Sequence, residues 1–71
     1  MNPLKMKAFL SEDGTIFVKA PKDSGYDWMF VDADTQSGDA DFCTSEQLVL
    51  WKVKAVCNLD DKAEELWKQY Q

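Results

Sequence analysis

The stretch Thr44-Ser45-Glu46-Gln47-Leu48-Val49-Leu50-Trp51-Lys52-Val53-Lys54-Ala55-Val56-Cys57 decides the fold. Gln47 to Val56 contains alternation and three valines, which suits a strand. Against that, Thr44 and Gln47 have the Ser/Thr-x-x-Glu/Gln spacing of a capping box, and Glu46 suits the positive end of a helix. Leu48, Trp51 and Ala55 share one helical stripe, and Val49, Val53 and Val56 share the next. The capping signature favours a helix over Thr44–Cys57. On that reading Cys43 and Cys57 sit at its opposite ends, roughly 20 Å apart at ~1.5 Å per residue. No disulfide spans that distance, so both thiols are expected free.

Downstream, Asn58 suits the end of one helix and the cap of the next. Leu59 to Tyr70 then carries an apolar stripe of Leu59, Ala63, Leu66, Trp67 and Tyr70, with Asp60 and Asp61 in its first turn. Upstream, Leu4–Leu10 and Thr15–Ala20 alternate with the period of half-buried strands, joined by Glu12-Asp13-Gly14. A two-residue loop would set Ala8 opposite Lys19 and Ser11 opposite Ile16. A three-residue loop with Gly14 left-handed sets Leu10 opposite Ile16, Ala8 opposite Val18 and Phe9 opposite Phe17. The second register keeps the apolar pairs together and is the one expected. Pro21 closes the second strand, Lys22-Asp23-Ser24-Gly25 turns the chain, and Tyr26–Val31 forms a third strand. Asp32–Asp41 reads as a loop leading to a short fourth strand near Phe42.

The expected fold is therefore α+β in a single domain, residues 1–71. An antiparallel sheet of three to four strands, the N-terminal hairpin plus a third strand, carries two C-terminal helices packed on one face. Val18, Trp51, Leu66 and Trp67 are expected in the core.

The net charge of −5 has one source. Asp23 to Trp51 holds seven carboxylates and no Lys or Arg, while residues 1–22 carry +2 and residues 52–71 are neutral. The chain has no His, which removes triads, Cys–His dyads and most zinc sites. It has no Arg, which removes the bidentate phosphate and base contacts of many nucleic-acid readers. Composition thus points away from an enzyme, and no cofactor or metal is expected. No apolar run is long enough to span a membrane, and Met1–Lys5 lacks the apolar core of a secretory signal, so a cytoplasmic protein is expected.

Three arrangements could carry function. Asp32-x-Asp34 and Gly38-Asp39-x-Asp41 superficially resemble a calcium loop, but position 6 from Asp32 is Ser37 and position 12 is Cys43, so the two most constrained positions fail. The hairpin places Lys7, Phe9, Phe17 and Lys19 on one side, the pattern of sheets that stack single-stranded nucleic acid. The net negative charge opposes that at long range. The third is the acidic segment itself. Alternate residues of an extended chain recur every ~6.5 Å, so Asp32/Asp34 and Asp39/Asp41 approach the phosphate spacing of one nucleic-acid strand. Such an array suits a basic groove built for nucleic acid.

Asp41-Phe42-Cys43-Thr44-Ser45-Glu46-Gln47-Leu48-Val49-Leu50-Trp51 resembles the strand-to-helix junction of small phage-encoded anti-CRISPR proteins that inhibit type I surveillance complexes. That junction reads Asp-Phe, two hydroxyl residues, Glu-Gln-Leu, two variable residues and Trp. The resemblance implies a sheet followed by two helices and an inhibitory role in a host bacterial cytoplasm. The expected function is a non-enzymatic inhibitor, a monomer or weak homodimer. It would bind a protein complex with a basic nucleic-acid-binding surface, with no direct contact to nucleic acid. Its partner-binding residues would be Asp27, Asp32, Asp34, Asp39, Asp41 and Glu46. The alternatives are a nucleic-acid-binding module using Lys7, Phe9, Phe17 and Lys19, and a homodimeric assembly protein.

Overall fold

The computed structural model describes residues 2–31 and 40–69. Its frame is an antiparallel sheet of β1 (Ala8–Ser11), β2 (Ile16–Lys19), β3 (Trp28–Val31), β4 (Asp41–Cys43) and β5 (Ala55–Asn58), in the order β4-β3-β2-β1-β5. Helix α1 (Ser45–Leu50) follows β4, and α2 (Ala63–Gln69) follows β5. Single 3-10 turns occupy Pro3–Lys5, Lys22–Ser24 and Asp60–Lys62. The architecture is α+β, with five strands among the described residues in place of the expected three to four.

The β1–β2 hairpin has the register expected from its apolar pairs: Ala8 opposite Val18, Phe9 opposite Phe17 and Leu10 opposite Ile16. Gly14 has φ 92°, in the left-handed region that a residue with Cβ enters at a cost. Ser11 N–H donates to Thr15 O (2.8 Å) and Gly14 N–H to Ser11 O (3.1 Å), closing the loop. The Asp13 carboxylate accepts from the Ser11 hydroxyl and from Thr15 N–H. The Ser11 bond, with Thr15 adding to it, holds that carboxyl below its usual range.

Helix α1 begins as its sequence implies. The Thr44 hydroxyl accepts from Gln47 N–H (3.2 Å), and the Gln47 side-chain oxygen accepts from Thr44 N–H (2.9 Å). Its length differs from expectation. Lys52 N–H donates to Val49 O and Val53 N–H to Leu48 O, both at 3.1 Å, with Lys52 at φ 57°. This is a Schellman close, in which a left-handed residue ends the helix and the next apolar residue folds back. Val53 accordingly packs into the cluster that holds Leu48. The left-handed position is a lysine, so the glycine that usually announces such a stop is absent.

Beyond the stop, Ala55–Asn58 pairs with β1, and Lys54 O accepts from Glu12 N–H (3.0 Å). The expected helix to Cys57 is thus corrected to a short helix and a fifth strand. The physical reason is non-local: without β5, the outer backbone groups of β1 would be left unpaired.

The two helices lie on opposite faces of the sheet, which corrects the expected packing on one face. The aromatic face holds the main core cluster, and Ala8, Val18 and Met29 are buried on the other face. Phe9 and Phe17 stack at 4.9 Å, Phe9 meets Trp28 edge-on at 5.2 Å, and Phe17 meets Phe30 at 5.0 Å. Leu48 of α1 caps these rings, joined by Met6 and Cys43. On the other face, α2 lies against β2 beside the buried Val18, where the Trp67 indole N–H donates to Lys19 O (3.1 Å). Trp51, expected in the core, is 49% exposed, because as the C-cap of α1 it reaches only the rim of the cluster, edge-on to Phe30 at 6.2 Å.

Candidate acidic interface at the β4 edge

Among the described residues β4 ends the sheet on one side. Of the central segment's carboxylates, Asp41 lies on it, Asp27 beside it and Glu46 on the helix that follows, while Asp23 sits apart in the turn Lys22–Ser24. Asp41 lies on β4 opposite Phe30, with its side chain exposed. Asp27 precedes β3, and its N–H donates to Cys43 O at 3.0 Å. The register places Asp27 and Asp41 three residues apart along the edge, roughly 10 Å at ~3.3 Å per residue. Glu46, also exposed, projects from the first turn of α1.

The edge is held firmly to the core. The Asp27 carboxylate accepts from Ser45 N–H at 2.7 Å, satisfying a free donor at the start of α1. The Trp28 indole N–H donates to the Ser45 hydroxyl at 3.3 Å. The neighbours Asp27 and Trp28, at the start of β3, therefore anchor α1 from two sides, and the capping box sets its direction. Asp27 thus has a structural task at this junction. Cys43 lies beneath it, where burial, with the Asp27 charge adding, pushes the thiol up to about 11. That thiol stays protonated and is a packing group. Asp32, Asp34 and Asp39 lie outside the described residues.

The Lys7, Phe9, Phe17 and Lys19 face is corrected as a stacking surface. Phe9 is 0% and Phe17 4% exposed, under Leu48. A buried ring cannot receive a base. Lys19 is engaged as well, its ammonium 4.1 Å from the Trp28 ring centroid. Lys7 is exposed, and its backbone N–H donates to the Asp60 carboxylate at 2.7 Å.

Both cysteines are free as expected, but the geometry behind it differs. They lie on the two edge strands β4 and β5, four strand spacings apart, roughly 19 Å at ~4.8 Å each.

Two features escaped the sequence reading. One is a cleft of about 550 Å³ between the hairpin loop and the turn after α1, with Asp13, Thr15, Phe30, Trp51 and Lys52 among its walls. The other is the basic pair Lys52 and Lys54 leading into the opposite edge of the sheet. Both depend on the helix stop at Lys52, for which no glycine or proline gives a signal. Among the described residues there is no cluster of three or more His, Cys, Asp or Glu able to hold a metal ion. No described helix is long and apolar enough to cross a membrane.

Comparison with known proteins finds no matching family model, no matching curated protein and no matching solved structure.

Proposed function

We propose that this chain is a non-enzymatic inhibitor that docks its acidic edge into a basic, nucleic-acid-binding surface of a protein complex, with a type I CRISPR–Cas effector as the first target to test. The observation that carries the reading is the exposure of Asp41 on the edge strand, Asp27 beside it and Glu46 on the helix that follows, within a segment that has no Lys or Arg. A carboxylate array on a rigid edge suits a groove lined by lysines and arginines. Its field speeds encounter, and like-charge repulsion excludes acidic surfaces. The resemblance of residues 41–51 to an anti-CRISPR junction directs the choice of target. Asp32, Asp34 and Asp39 would extend the array from the same segment.

The test is competition. A purified type I effector is titrated with labelled duplex DNA in the presence of the protein, at low and high salt. The expected result is loss of DNA binding at low salt, relieved as salt rises. The quadruple variant with Asp→Asn at Asp32, Asp34, Asp39 and Asp41 should stay folded, inhibit less and show a weaker salt dependence. Equal inhibition by the quadruple variant would rule out the acidic array as the contact.

A further inference from the structure

Among the described residues, strand β5 is the other end of the sheet, bonded only on its β1 side. We propose that it is a self-association edge, where two copies of the chain pair β5 against β5, antiparallel, into one continuous sheet.

The backbone is arranged for it. Leu59 N–H donates to Ala8 O and Glu12 N–H to Lys54 O, both at 3.0 Å, and these bonds bracket the β1–β5 ladder. Alternation from those two ends leaves Asn58 and Ala55 with their N–H and C=O turned outward. A bulge lies between them, where Leu10 pairs with Cys57 and Ser11 with Ala55. The outward groups are therefore three residues apart, where a regular strand presents them every two. A regular peptide strand does not match that spacing. A second copy of β5 does, because a two-fold axis sets Ala55 of each copy opposite Asn58 of the other.

The side chains agree. Residues 55–58 carry no charge and no proline, the usual guards of an exposed edge, and Val56 is 51% exposed. Lys52 and Lys54 lead into the strand, and Asp60 and Asp61 follow it. Antiparallel pairing sets the basic end of one copy against the acidic end of the other, whereas parallel pairing would oppose like charges. The exposed Cys57 thiol sits 3.8 Å from Asn58 O, whose carbonyl faces the same edge, so the two Cys57 residues come close across the axis. The acidic β4 edges would remain free at the two outer ends of the joined sheet.

Sedimentation equilibrium over a range of concentrations tests the proposal. The average mass should rise from 8.1 kDa toward twice that value. Val56→Lys, with folding checked by circular dichroism, sets two like charges beside the axis and should weaken association roughly tenfold or more. A short bis-maleimide should link the wild-type chain into a covalent dimer, and Cys57→Ser should abolish the link. A mass fixed at 8.1 kDa at every concentration would overturn the proposal, as would undiminished association of the folded Val56→Lys variant. None of these measurements involves the CRISPR effector, so their outcome is separate from that of the inhibitor reading.

Discussion

The Asp60 carboxylate accepts hydrogen bonds from the backbone N–H groups of Lys7 (2.7 Å) and Ala8 (3.2 Å), the former 53 residues away in sequence. It thereby ties the turn before α2 to the start of β1. Asn58 orients the turn by accepting from Asp60 N–H at 2.7 Å.

That contact predicts an acid dependence. The Lys7 N–H, ahead of the other contributions, holds the Asp60 carboxyl below its ordinary value of 3.8. A lowered folded pKa means that the stabilisation is present above the unfolded pKa and is lost as pH falls through the folded one. Urea midpoints should therefore drop between pH 5 and pH 3 more steeply in wild type than in Asp60→Asn. Asp13, lowered by Ser11, contributes to the same fall in both proteins, so the difference between them reports Asp60. Parallel curves would remove Asp60 from the acid response.

Lys52 adopts φ 57° at the close of α1. A side chain there meets a conformational penalty that glycine escapes. Lys52→Gly should raise stability by about 1 kcal/mol, which for a chain of this size corresponds to a melting temperature higher by roughly 4–8 °C. A lower melting temperature would mean that the lysine side chain supports the turn in a way that outweighs its backbone cost.

Phe9 is 0% exposed and touches Phe17 and Trp28. Phe9→Ala should cost about 3–5 kcal/mol, a large part of the ~5–15 kcal/mol that holds a typical domain folded. Denaturant titration should show a large loss of midpoint together with weakened near-ultraviolet dichroism from Trp28. Retention of the wild-type midpoint would argue that the aromatic row does not form the core.

The two thiols should separate chemically. Cys57 is exposed, while Cys43 is buried and its pKa is pushed up to about 11. A disulfide reagent at pH 8 should label Cys57 promptly and reach Cys43 only after denaturant is added. Equal rates for both in the native protein would contradict the packing of β4 beneath α1.

The local rules that proved readable were those with a short reach. Alternation and the three-residue Gly14 loop determined the pairing of Ala8 with Val18 and Phe9 with Phe17, because a slip of one residue would turn every apolar side chain to the wrong face. The Thr44/Gln47 spacing determined where α1 begins, because the cap is made within four residues. The acidity of the central segment was equally plain, and with it Asp27, Asp41 and Glu46 as candidate contacts.

What tertiary structure alone decided is where α1 ends, what Ala55–Asn58 becomes and how both faces of the sheet come to be covered. The stop at Lys52 uses a residue with no preference for the left-handed region. Val56 suits either element, and pairing with the open side of β1 settles it. Phe9 and Phe17 alternate as an exposed face would. Leu48, 31 residues beyond Phe17 and 39 beyond Phe9, is what covers them. Periodicity identifies two faces of a strand, but only packing decides that both lose their water, Ala8 and Val18 on one face being as buried as Phe9 and Phe17 on the other.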